Sequence, residues 1–158
     1  MKKIACLLGL TALWAVAATA QTQNPDAIVG TWFNSDRTAH IEIYRQADGK
    51  YFGKIAWLKE PTYPANDAKG MAGKEKVDRE NPDPAKRKDP VHGLVILRSF
   101  VYSGGGMWDS GRIYDPKNGK DYKCKMSLKS PDALDVRGFV GFSFIGRTEN
   151  WTRVKAGT

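Results

Sequence analysis

One stretch of the chain constrains its fold more than any other. From Tyr122 to Lys129 the residues alternate without a break: Tyr122, Cys124, Met126 and Leu128 fall on one side, and Lys123, Lys125, Ser127 and Lys129 on the other. Only an extended strand puts successive side chains on opposite faces, so the segment predicts a strand with one face buried and the other wet. The same reading extends along the chain. Gly30–Phe33 and the alternating Ala39–Arg45 come first, Asp48-Gly49 is a hairpin signal, and Tyr51–Leu58 follows. Leu94–Tyr102, a turn at Ser103–Gly106, Met107–Asp115 and a second turn at Pro116–Gly119 lead into the alternating segment. Ser130-Pro131-Asp132 then turns into Ala133–Val140, and a last strand runs from about Phe144 to Val154. Beyond the first twenty residues no segment sustains a 3.6-residue apolar period. About eight strands joined mostly by tight turns predict an all-β fold, either a sandwich or a small up-and-down antiparallel barrel, the latter closing its sheet and so leaving no free edge.

The first twenty residues are of another kind. Met1-Lys2-Lys3 is a positive start, Ile4–Ala18 is almost wholly apolar, and Ala18-Thr19-Ala20 is a small-residue exit. The apolar run is shorter than the roughly 17–25 residues a spanning helix needs, so the segment predicts a secretory signal peptide, 1–20, cleaved near Ala20. Residues 21–158 then form one domain, exported to the periplasm or the cell exterior. The formal charge of +8 falls to +6 on loss of Lys2 and Lys3, and Cys6 is lost too. Cys124 remains as a single thiol with two readings: a small buried hydrophobe, or a reactive group able to join a homodimer.

One connection is out of proportion. Lys59–His92 is 34 residues long, and loops beyond about 12–15 residues are uncommon and often functional. It carries eight basic and seven acidic residues, so it is charged and almost neutral. Asp83-Pro84 predicts the cap and first residue of a short helix. Asp78, Asn81, Asp83 and Arg87 form either local turn contacts or the polar rim of a barrel mouth.

Gly30-x-Trp32 near one end and Trp151-Thr152-Arg153 near the other make a further pattern. It resembles the lipocalins and their calycin relatives, in which a Gly-x-Trp opens the barrel and a late Arg packs across the Trp. More specifically, the chain resembles the bacterial exported family named domain of unknown function 2147. The resemblance rests on Gly30-Thr31-Trp32, Gly53–Leu58, Asp78–Pro84, Gly93–Leu97, Gly111–Pro116, Leu134-x-Val136-Arg137-Gly138-Phe139 and Gly146-Arg147-Thr148-x-x-Trp151-Thr152-Arg153. It implies a lipocalin-like barrel outside the cytoplasm, with Trp32 and Arg153 closing it, and it implies no activity.

An eight-strand barrel can just fill with side chains or hold one small ligand, and both readings stay open. If it is hollow, Ile43, Ile55, Trp57, Tyr122 and Met126 face a small apolar or amphipathic ligand such as a fatty acid. Arg98 and Arg137 then either anchor its carboxylate or pair with neighbouring acids. If it is filled, the protein is an envelope module, and Lys123, Lys125 and Lys129 either stand in solvent or meet an envelope protein or an anionic surface. A third class, a hydrolase using Asp78 and Asp83, lacks any Gly-x-Ser-x-Gly or His-Glu-x-x-His motif. His40 and His92 have no neighbours at metal-ligand spacing, so neither metal nor cofactor is expected. An exported chain without a nucleic-acid motif is not expected to bind nucleic acid.

Overall fold

A computed structural model describes residues 24–155. The expected signal peptide lies outside the described residues. Among them, eight strands follow in order: β1 (Gly30–Phe33), β2 (Ala39–Arg45), β3 (Tyr51–Leu58), β4 (Val95–Gly104), β5 (Met107–Asp115), β6 (Lys120–Ser130), β7 (Ala133–Phe139) and β8 (Gly146–Arg153). Each pairs antiparallel with the next, and β1 returns to β8 through Trp32↔Arg153 and Phe33↔Thr152. The expected up-and-down barrel is therefore closed. The last strand starts at Gly146, so Phe144 belongs to the β7–β8 turn instead.

Alternation reads β6 well: Cys124 and Met126 are buried, while Lys123 and Lys129 are exposed. It misreads the end of β3. Ile55 pairs with Ile41, but Trp57 pairs with His40, so two steps along β3 match one along β2. Ala56 is the extra residue of a bulge, and a bulge transfers every later side chain to the opposite face. Trp57, expected to face a ligand, therefore stands outside at 40% exposure, its ring 4.4 Å from that of His40.

Connections gather at two ends. The β2–β3, β4–β5 and β6–β7 turns share one end with a 3-10 helix, Pro25–Ile28. That helix is capped by Asn24, whose side chain accepts from the Asp26 amide, and it seals this end. Trp32 Nε1 donates to the Ile28 carbonyl at 2.8 Å, and Trp108 Nε1 donates to that of Pro25 at 3.1 Å. Tyr51 Oη donates to Asp26 Oδ1 at 2.6 Å; burial first, and then this bond, push the phenol up to about 12. Arg153 crosses the Trp32 ring at 4.1 Å and donates to the carbonyls of Ala27, Val29 and Pro131. A Cβ on Gly30, at φ +127°, would lie 2.9 Å from that guanidinium, so only glycine lets it pass. Above this seal the lower barrel is solid with Trp32, Trp108, Trp151, Tyr51, Phe100 and Met126. Phe100 fits because Gly111 opposite it is bare; a Cβ there would meet the ring at 2.3 Å.

The β1–β2, β3–β4, β5–β6 and β7–β8 connections occupy the other end. The long β3–β4 connection is held by its own contacts. Tyr63 Oη donates to the Val77 carbonyl at 2.9 Å, Arg79 lies 4.2 Å above the Tyr63 ring, and the same Arg79 binds Asp67 at 2.8 Å. Asp83 caps the expected short helix, a 3-10 turn at Pro84–Lys86. The connection also leans on the β5–β6 turn, where a Cβ on Gly119 would overlap the Glu80 carbonyl at 1.9 Å.

Candidate functional site

The upper half of the barrel is hollow. A cavity of about 630 Å³ opens at the end opposite the seal, within the range of about 300–1,000 Å³ usual for small-molecule sites. Its deeper surface is apolar, from Ile41 on β2, Ile55 on β3, Ile96 on β4 and Trp151 on β8. Ile113, Tyr122 and Val136 continue the wall, and bare Gly138 widens it. Polar groups collect toward the mouth: Asn34, Asp36, Lys117, Asn118 and Arg147. Here the barrel follows a common ligand-site pattern, an apolar recess with a few polar groups near its entrance.

β8 supplies the most telling side chains. Arg147, Glu149 and Trp151 share one parity and all line the cavity. Trp151 Nε1 donates to Glu149 Oε2 at 3.2 Å, and the Arg147 side chain has no hydrogen-bond or ion-pair partner among the described residues. Tyr114 lines another wall and donates through Oη to Asp78 Oδ1 at 2.7 Å. Burial, reinforced by that bond, drives the Tyr114 phenol well above the ordinary range. Cys124 is buried, and burial pushes its thiol up to about 12, so it is poorly reactive at neutral pH. Among the described residues no cluster of three or more His, Cys, Asp or Glu side chains forms a metal site.

Residues 30–153 match the family described as "Uncharacterized protein conserved in bacteria (DUF2147)". The chain belongs to this family. No curated protein matches it. Among solved structures, the barrel resembles one from Helicobacter pylori whose title reads "Protein HP1028 from the human pathogen Helicobacter pylori belongs to the lipocalin family". The TM-score is 0.67 at 20% identity, covering 81% of this chain and 83% of that one. At that identity the likeness shows a shared fold.

In this DUF2147 chain the expected site residues divide sharply. Ile55 and Tyr122 line the cavity. Ile43 and Met126 lie in the solid core and do not line it. Arg98 does not line the cavity; it and Arg112 both clamp the outward-facing Asp121. Nor does Arg137, which braces the β7–β8 hairpin from outside through the Ser143 carbonyl at 2.7 Å and Thr148 Oγ1 at 2.8 Å. None of the four expected rim residues lines the cavity. Asp78 is fully buried, holding Tyr114 and, at 2.6 Å, Asn81 Nδ2. Asp83 caps its turn, and Arg87 donates to the Asn81 carbonyl at 2.8 Å. Asp78 and Asp83 are thus each engaged in separate structural contacts. Trp32 and Arg153 do stack, as given above. Arg147 and Glu149 were not anticipated, although their parity with Trp151 was a readable signal.

Proposed function

We propose that this protein is an exported container for one small amphipathic molecule of the fatty-acid class, which it binds without chemical change. The hollow upper barrel carries the reading. An alkyl chain would displace water from the Ile41, Ile55, Ile96 and Trp151 surface, and burial of apolar area is the dominant favourable term in such association. The mouth supports one orientation. Arg147 and Lys117 suit a carboxylate at the entrance, whereas the Glu149 carboxylate one layer deeper disfavours a second acid beside it. The tail therefore enters first and the head stays at the rim.

Native mass spectrometry of the purified protein, followed by titration of the delipidated form with a fluorescent fatty acid, tests this directly. The expected result is a lipid-sized adduct, removable by delipidation, and saturable uptake that Ile55→Trp abolishes. A protein with no adduct and no uptake overturns the proposal. Export is checked by fractionating cells that express the full chain and sequencing the mature N-terminus, expected at Gln21.

A further inference from the structure

We infer that the β7–β8 hairpin is a bilayer-docking element that seats the cavity mouth on an anionic lipid surface. Val140, Phe142, Phe144 and Ile145 are exposed by 63%, 70%, 76% and 57%, the four highest values among the large hydrophobic residues described. All four fall in one six-residue turn, whereas a soluble surface normally scatters such residues singly. Phe142 and Phe144 stack at 5.6 Å with planes 6° apart, forming one flat apolar tip.

Two observations say what covers the tip. First, Val140 and Ile145 also line the cavity, so one apolar surface runs from the hairpin into the barrel. A protein or second copy seated there would stop the mouth. A bilayer would leave it facing the phase in which apolar molecules reside. Second, the surround carries a basic excess: Asp36, Asp115 and Glu149 also line the mouth, but four cations outnumber them. Arg147 stands at the base of the hairpin, Lys123 pairs in register with Phe139, and Lys117 and Lys120 flank the neighbouring β5–β6 turn. None of these four cations has an ion-pair partner among the described residues, while nearby Asp121 is neutralised by Arg98 and Arg112. Apolar side chains ringed by cations are the usual combination for binding an anionic interface.

Flotation with phosphatidylcholine vesicles, with and without phosphatidylglycerol, tests the inference. The protein is expected to float with the anionic vesicles and to bind neutral ones at least tenfold more weakly, with added salt releasing it. Phe142→Ser with Phe144→Ser should reduce binding at least tenfold without changing circular dichroism or Tm, because both rings are exposed. Lys123→Glu with Arg147→Glu should do the same on anionic vesicles only. Ile55→Trp should keep vesicle binding even as it abolishes uptake, which separates this inference from the container reading. Absence of vesicle binding, or unchanged binding by the double serine variant, overturns it. So does a dimer in sedimentation that the serine variant dissolves, since a second copy would then occupy the tip.

Discussion

The two ends of this barrel are made from the same strands and treat space in opposite ways. At the sealed end, buried Trp32 and Trp108, a 3-10 helix and Arg153 pack against one another, and both indole nitrogens find acceptors. At the open end, isoleucines and Gly138 leave about 630 Å³ unfilled. Close packing is what stabilises a domain, and an empty recess forgoes those contacts. The molecule thus concentrates stability below and keeps vacant volume above, so damage to the two ends should read out differently.

The strongest way to break that division is Trp32→Ala. The ring is fully buried and carries the Arg153 stack, and large aromatic truncations in a core cost about 3–5 kcal/mol. Denaturant unfolding should show a loss of that size, with no matching gain in cavity occupancy if delipidated protein is used.

Asp78→Ala probes a buried anchor of the open end. It leaves Tyr114 Oη and Asn81 Nδ2 without their acceptor, and stranding a buried polar group costs about 1–3 kcal/mol. The loss should appear chiefly as faster amide exchange across residues 59–92, the connection that Asp78 ties to β5, with the sealed end still protected. Uniform loss of protection at both ends would show that the two are a single cooperative unit.

The sequence alone made the sealed end legible and the open end much less so. Alternation along Tyr122–Lys129 assigned β6 because the strand keeps regular register with β7 from Lys123 to Leu128, the one shift falling at Lys129. Gly30, Trp32 and Arg153 announced the seal because few other residue types fit a guanidinium passing over an indole beside a bare backbone. Trp57 was misplaced because a one-residue bulge at Ala56 leaves no mark in composition. Asp78 resembled a loop acid because its partner Tyr114 lies 36 residues away, a proximity that only the folded connection creates. Whether the barrel is hollow depends on volumes meeting across strands, as Phe100 meets Gly111, and no local pattern encodes that. Arg147 and Glu149 were readable from the parity of Trp151, but charged residues near a turn pass for surface.

Gly138→Val sharpens the contrast from the other side. The added Cβ would meet Ile113 at 3.4 Å, an ordinary contact, and the branched side chain suits a strand. Stability should change by no more than about 0.5 kcal/mol, as at a site with room to spare, while the capacity for a fluorescent fatty acid falls severalfold. A large loss of stability would mean that the upper barrel is packed as tightly as the lower one.

The smallest effect concerns pH and only the long connection. A hydrogen bond from Arg79 holds the Asp67 carboxyl below its usual range, and one from Lys69 does the same for Glu80. A carboxyl whose folded pKa is depressed contributes stability above its unfolded pKa, about 4, and loses it as pH falls through the folded value. Glu80 is partly solvated, so its share is modest and salt-sensitive, whereas the Asp67 side chain is only 5% exposed and its pair with Arg79 is screened less. Lowering the pH below about 4 should therefore expose residues 59–92 to a protease active in acid before the barrel loses its strand signal in circular dichroism. Asp67→Asn should produce the same cleavage at neutral pH, because it removes the ion pair that acid removes. If the connection and the strands instead yield together at every pH, the Tyr114–Asp78 clamp rather than the charged network holds the connection down.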